Sequence, residues 1–357
     1  MKEFVPFHRI HEFDEVLGVD CFHPRAFSLS HWKGATTPKY IEDDTSAGIC
    51  LNALKQNIPQ LSFSHVSSNH FDIDGFIGVW ALTNPVLALH FEAVLREMAL
   101  IGDFREYKEN NPFSDLALKL VCWINAEERK HFYAPFESHT TEEKEGLACV
   151  EKFEFFNVNF EMVLLAPEKF KSIWEPEYQN VKQGISQMTN ATIKNHKALR
   201  LRSIALESPI HYYALFSDSA AYDVIASCYS GNRYEVEYKY TTWVDCHLRK
   251  QFPRVDLTPL ATQLNKMEEG GQTWMVDKIT DTGPILRIQG PALSKYQRFL
   301  SPTERTILSS SINPELWLKT VTSFFGKAYE KLELAKAISW EETRKINAIQ
   351  TQPLQGI

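Results

Sequence analysis

A chain of 357 residues with 44% hydrophobic and 23% charged residues has a globular composition and is neither disordered nor fibrous. Its length suits two domains better than one core. Thirty-eight basic against 45 acidic residues give a net charge of −7 with no basic run, so duplex nucleic acid is not an expected partner.

No stretch approaches the roughly 20 apolar residues of a spanning helix, and Met1-Lys2-Glu3-Phe4 leads into no signal-like segment. A cytoplasmic location with no membrane partner is therefore expected, with the oligomeric state left open. Cys21, Cys50, Cys122, Cys149, Cys228 and Cys246 form no CxxC pair, which favours buried thiols over a zinc ribbon or disulfide framework.

In chain order, residues 15–20 read as a strand, 46–54 as a helix, 61–68 as a strand, and 76–82 as the start of a helix. This alternation predicts a mainly parallel sheet with helices on its faces. Pro85 should end that helix. Leu87, Val94, Leu95, Met98 and Ile101 carry a further helix at roughly helical spacing. Beyond it the sequence predicts a helix over 115–129, a charged turn at 140–145, a β-like run at 161–165 and a polar helix over 182–202.

A second unit begins near His211, with a β-like run at 212–216 and a helical one at 220–227. Residues 233–244, rich in Tyr, Val and Thr, read as the clearest long strand. A helix over 256–265 is capped by Asp256 or Thr258 and accepts Pro259 in its first turn. Residues 315–347 read as a long amphipathic tail, interrupted near Gly326.

The chemistry concentrates in Val66-Ser-Ser-Asn-His-Phe-Asp-Ile-Asp-Gly75. On an extended strand His70, Asp72 and Asp74, at i, i+2 and i+4, share one side. That places one imidazole and two carboxylates at the carboxyl end of a strand, where ligands of open α/β sheets sit. Gly75 lets the chain turn into a helix whose free N–H groups favour phosphate. Such donors suit Mn2+ or Mg2+, and a pair of these ions activates water and stabilises the leaving oxygen of a phosphoester. The plainer reading is a strand-to-turn connection whose aspartates only cap the next helix.

Residues 70–82 resemble the first motif of the DHH phosphoesterase superfamily, a strand ending in HxDxDG followed by a helix with small residues. Upstream, Val16-Leu-Gly-Val-Asp20-Cys-Phe-His23-Pro24 is similar to that family's signature, although two residues separate Asp20 from His23 where the family has Asp-His-His. Residues 42–54 resemble the acidic, small-residue helix start that follows the signature, and Asp103 resembles a later aspartate. The order departs from the family, since the signature-like element here comes first. The resemblance implies a metal set of Asp20, His70, Asp72, Asp74 and Asp103, with His23, Asp72 and Asp74 in catalytic roles and two ions of Mn2+ or Mg2+.

Arg254 to Asn265 followed by Glu269, Gly270 and Gly271 loosely resembles the approach to the family's GGGH substrate loop, with Gln272 and Thr273 where a third glycine and a histidine would stand. A helix ended by a Gly-Gly cap reads equally well. Arg249 and Arg254 are candidate clamps for phosphate oxygens, though such arginines are more often solvated. His11, His31 and His65 have no partner by spacing and read as surface or core histidines. Tyr234, Tyr238, Tyr240 and Trp243 offer a base-stacking platform or, more commonly, an aromatic core face.

The expected architecture is α/β: a mainly parallel domain with flanking helices and connector (1–205), a smaller mixed α/β substrate-binding-like domain (206–290) and a helical tail (291–357). The expected activity is divalent-metal-dependent hydrolysis of a phosphodiester or phosphoanhydride in a small phosphorylated substrate or short oligonucleotide. The alternatives are a catalytically degenerate ligand-binding protein of the same fold, and a scaffold that recruits a partner through the tail.

Overall fold

The computed structural model describes residues 2–133, 142–269, 271–289, 297 and 300–350. The chain forms two compact units, Met1–Lys182 with Cys246–Leu248, and Gln183–Asp245 with Arg249–Ile357.

The first unit contains β1 (Glu3–Phe4), β2 (Val16–Val19), β3 (Ala26–Leu29), α1 (Ser46–Gln56), β4 (His65–Ser67), α2 (Ile73–Thr83), α3 (Pro85–His90) and α4 (Glu92–Phe104). It continues with α5 (Ser114–His131), α6 (Glu142–Ala148), α7 (Val150–Leu165) and α8 (Lys171–Met188), within which the division falls. Its four-stranded sheet has the order β1-β4-β2-β3 with every pair parallel. All four residues of β2 are buried, the continuous burial of a parallel strand covered on both faces.

Helix α2 is buried from Ile73 to Leu82, as a helix apolar on all sides must be. It packs against α1 and α4. Gly78 permits the close approach: a Cβ there would lie 2.6 Å from Val19 Cγ1 and 3.2 Å from Cys50 Sγ. On another side, Phe71 stacks on Phe156, Phe76 meets the same ring at a tilt, and Trp80 meets Phe160 edge-on.

The second unit contains β5 (Thr192–His196), β6 (Leu201–Leu206), α9 (Tyr212–Leu215), β7 (Val224–Tyr229), β8 (Arg233–Tyr238), α10 (Thr258–Asn265), β9 (Thr273–Val276), β10 (Ile285–Gln289), α11 (Pro314–Tyr329) and α12 (Trp340–Gln350). Its six strands run β5-β6-β7-β8-β10-β9, with β6 and β7 parallel and the other neighbours antiparallel. Period-two alternation sends Tyr234, Val236 and Tyr238 into the core. On the opposite face Glu235 and Glu237 pair with Arg305, at 2.7 and 3.1 Å.

The α/β class, the parallel sheet with flanking helices, the mixed second unit and the helical C-terminal segment match the sequence reading. Several local expectations do not. Residues 161–165 are the end of α7, because Phe153, Phe156, Phe160, Val163 and Leu164 bury one helical face. Residues 182–202 do not form one helix: α8 ends at Met188, and β5 pairs antiparallel with β6. Residues 212–216 carry the short α9, and the run expected as a helix over 220–227 gives way to β7, held between β6 and β8. The strand expected over 233–244 stops at Tyr238. The helix over 87–101 is instead α3 and α4, separated at Phe91.

The boundary expected at 205 compares with a division at Lys182, which leaves β5 and β6 in the second sheet. The tail breaks between Tyr329 and Trp340, not at Gly326. Its first helix is no appendage, since Trp317, Val321, Phe325 and Tyr329 belong to the second unit's core. Among the described residues no helix is long and apolar enough to cross a membrane.

Candidate metal centre

Four segments of the first unit deliver the candidate ligands to the carboxyl ends of β2, β3 and β4. Asp20 directly follows β2 and takes a left-handed φ of 49°, a conformation that aspartate tolerates better than most residues. Its amide donates to the Leu29 carbonyl at 3.3 Å, fixing the exits of β2 and β3 together. His31 lies two residues past β3. Beyond β4, Asp72 caps α2 by accepting from the Gly75 amide at 2.8 Å, and Asp74 sits in the first turn. Asp103 lies near the end of α4.

His70, Asp72 and Asp74 therefore converge for a reason other than strand alternation. Strand β4 ends at Ser67, and a turn followed by a helix start places them.

Among the described residues two groups of potential ligands emerge: Asp20, His31 and Asp74, all buried, and Asp20, His70 and Asp72, of which only Asp20 is buried. Within each group the ligand atoms lie within 4.8 Å of one another. Asp20 belongs to both through opposite oxygens. His31 Nε2 is 3.2 Å from Oδ1, and His70 Nε2 is 3.3 Å from Oδ2. His31 Nε2 also faces Asp74 Oδ2 at 3.7 Å and Asp103 Oδ2 at 3.4 Å, while His70 Nε2 meets Asp72 Oδ2 at 3.1 Å.

Each imidazole is oriented from behind. His31 Nδ1 lies 2.6 Å from the Asp44 carbonyl and His70 Nδ1 lies 2.8 Å from Asn69 Oδ1. Donation through Nδ1 leaves both Nε2 atoms aimed at the carboxylates, the second-shell arrangement of metal-binding histidines. Asp44 is itself tied down, its Oδ1 accepting from the Leu248 amide at 2.7 Å, beside a His247–Glu42 contact of 3.2 Å. Asp74 receives the α1 amides of Ser46 and Ala47 at 2.7 and 2.8 Å, and Asp20 Oδ1 accepts from Ser46 Oγ at 2.7 Å.

Crowding shows in the proton affinities. Burial, with help from Asp20 and Asp72, pushes the Asp74 carboxyl up to about 7 against the opposing charge of His31. Burial and Asp74 raise Asp103 well above the carboxylate range. For Asp20 burial pulls upward, but the His31 hydrogen bond and the His70 charge hold it below its ordinary value. Burial opposes charging of both histidines, yet their carboxylate neighbours prevail, lifting His70 to about 10 and His31 well above its ordinary value. Four carboxylates thus share two imidazoles, and among the described residues buried Asp103 Oδ2 makes no hydrogen bond, with only the His31 contact at 3.4 Å beside it. An orphaned acceptor, carboxylate oxygens and back-bonded imidazoles are the donor set of a divalent cation.

Of the residues expected from sequence, Asp20, His70, Asp72, Asp74 and Asp103 come together. His23 does not: its Nδ1 accepts from the Arg25 amide and its ring meets Phe7 edge-on. Arg249 and Arg254 belong to the second unit. The buried Arg254 guanidinium donates to the carbonyls of Lys239, Asp281 and Thr282. Gly271 has a φ of 80° in open space, and Gly270 lies outside the described residues.

His31 is the candidate ligand that the sequence reading left out. It is 2% exposed and faces three carboxylates. The signal available was its position shortly after a strand neighbouring the one that ends at Asp20.

Fold and cluster together define an α/β protein with a candidate divalent-metal centre at the carboxyl ends of its parallel strands. The chain belongs to the family described as "Family of unknown function (DUF6687)", which matches residues 1–336. No curated protein and no solved structure matches it.

Proposed function

We propose that the protein is a Mn2+- or Mg2+-dependent phosphoesterase that hydrolyses a phosphodiester or phosphoanhydride in a small phosphorylated substrate or short oligonucleotide. The observation that carries this reading is Asp20, which offers one carboxylate oxygen to each of two ligand groups. That arrangement suits two neighbouring cations better than one. The resemblance of residues 70–82 to the DHH superfamily belongs with the same reading.

Asp20, His31 and Asp74, with Asp103 beside them, would hold one ion; Asp20, His70 and Asp72 would hold the other. When bound, such ions supply Lewis-acid polarisation of a phosphoryl oxygen and a more acidic water. The chain's own contribution is a rigid, oxygen-rich frame. Cations held among these carboxylates attract an anionic substrate at close range, so the residues that hold cations make substrate binding depend on them. Asp72, with a side chain 39% exposed, marks the accessible side, where substrate can approach. The Gly75 N–H of α2 already donates to Asp72, so it is not free to bind phosphate.

The test is metal content and hydrolysis of bis-p-nitrophenyl phosphate and pyrophosphate, with and without Mn2+. Activity should require the ion, and Asp72→Asn or Asp74→Asn should lower metal affinity by at least roughly the 10–100-fold typical of second-shell losses. Protein that binds no divalent cation, with both variants unchanged in every activity, would refute the proposal.

A further inference from the structure

We infer that the two ion positions differ in kind: the inner one retains its ion, whereas the outer one takes up an exchangeable ion that arrives with the substrate's phosphate. This rests on the metal reading above and adds a division of labour within it.

Access separates the positions first. At the inner position the side chains of His31, Asp20 and Asp74 are 1%, 2% and 0% exposed. At the outer one His70 and Asp72 are 25% and 39% exposed. The Asp103 side chain beside the inner position is 15% exposed, so the outer position is the more open of the two to water and small chelators. An ion there also keeps coordination sites open to solvent, which hard divalent cations fill with water or phosphate oxygen.

Preorganisation separates them again. Every inner ligand is fixed by a neighbour. Two amides of α1 grip Asp74, a backbone carbonyl orients His31, and Ser46 Oγ holds Asp20. Little ordering remains to oppose binding. Asp103 adds a fourth residue whose Oδ2 has no other hydrogen-bond partner. The outer ligands number three, one of them borrowed. His70 leans on the Asn69 side chain, and Asp72 is held by one amide where Asp74 is held by two.

Finally, Asp20 can be neutralised only once. An ion on Oδ1 weakens the pull of Oδ2 on a second cation and repels it, so occupancy is ordered, inner before outer. A phosphate bound to the second ion restores the missing negative charge. Entry as a metal–phosphate complex follows.

The experiment uses the full chain and Mn2+ alone. After loading and desalting through a weak chelating resin, one Mn2+ per chain should remain, and calorimetric titration should show a second event at least tenfold weaker. Asp72→Asn should abolish the weak event and leave the retained ion, whereas Asp103→Asn should weaken retention. Adding inorganic phosphate should tighten the weak event only. Two ions lost together with one affinity, a retained ion lost in Asp72→Asn, or a retained ion without a second event would each overturn the inference. Absence of any Mn2+ binding would instead remove the metal reading beneath it. Should Asp103→Asn fail to fold, the wild-type stoichiometry and Asp72→Asn decide the question.

Discussion

Asp74 has two duties, since the carboxylate that faces His31 also terminates α1 by taking the Ser46 and Ala47 amides. Asp74→Asn leaves one of those buried amides without a good acceptor. Metal-free protein should lose about 1–3 kcal/mol, read as a lower urea midpoint. A second buried ionisable group lies outside the centre: Glu128, 4% exposed, takes a 2.6 Å hydrogen bond from Lys152. Burial outweighs that ion pair and pushes the carboxyl from 4.5 up to about 7. A carboxyl raised in the folded state favours folding when protonated, so its contribution is full below pH 4.5 and is lost as pH rises towards 7. Glu128→Gln should remove a slope of order 1–3 kcal/mol between those limits, measured by unfolding at pH 5 and pH 8.

At this scale the sequence showed the His70–Gly75 ligands because they are adjacent. It hid His31, whose partners Asp20, Asp74 and Asp103 are separated from it in the chain and meet it only through the sheet. His23 rests only on the resemblance of residues 16–24 to the family signature, and its ring turns instead to the Arg25 amide and Phe7.

Among the elements, α2 has the least room to change. Gly78→Ala would set a methyl 2.6 Å from Val19 Cγ1, on a strand buried along its length. Overpacking of that kind costs about 1–3 kcal/mol. A lowered thermal midpoint with the secondary structure intact is the expected result, and unchanged stability would show that β2 can yield. Elements with a strong local signature, such as α1, α5 and α10, were legible. Among those that failed were short apolar runs read in windows too narrow to distinguish periods. Residues 161–165 look β-like in isolation, and only the phenylalanines a turn or more earlier reveal a helical face. Conversely, β7 is a strand because β6 and β8 flank it, a tertiary cause that no local propensity records.

For the whole molecule, the division into an α/β unit and a mixed unit followed from composition and alternation, but the place of the C-terminal helices did not. Amphipathic helices look alike whether they cover their own core or await a partner. Here α11 supplies Trp317 and Phe325 to the second unit. Deleting residues 314–357 should therefore abolish that unit's cooperative unfolding and reduce solubility. A soluble truncated chain with an unchanged urea transition would revive the partner-binding reading.

The return of Cys246–Leu248 to the first unit also has a consequence in time. All six candidate ligands lie between residues 20 and 103, so they leave the ribosome early. The Leu248 amide that holds Asp44, and through it the carbonyl behind His31, follows about 145 residues later. At synthesis rates of about 5–20 residues per second that interval is roughly 7–30 s. For that period the nascent chain carries its ligands without the last brace on His31, and the cage becomes fully framed only after much of the second unit has been made.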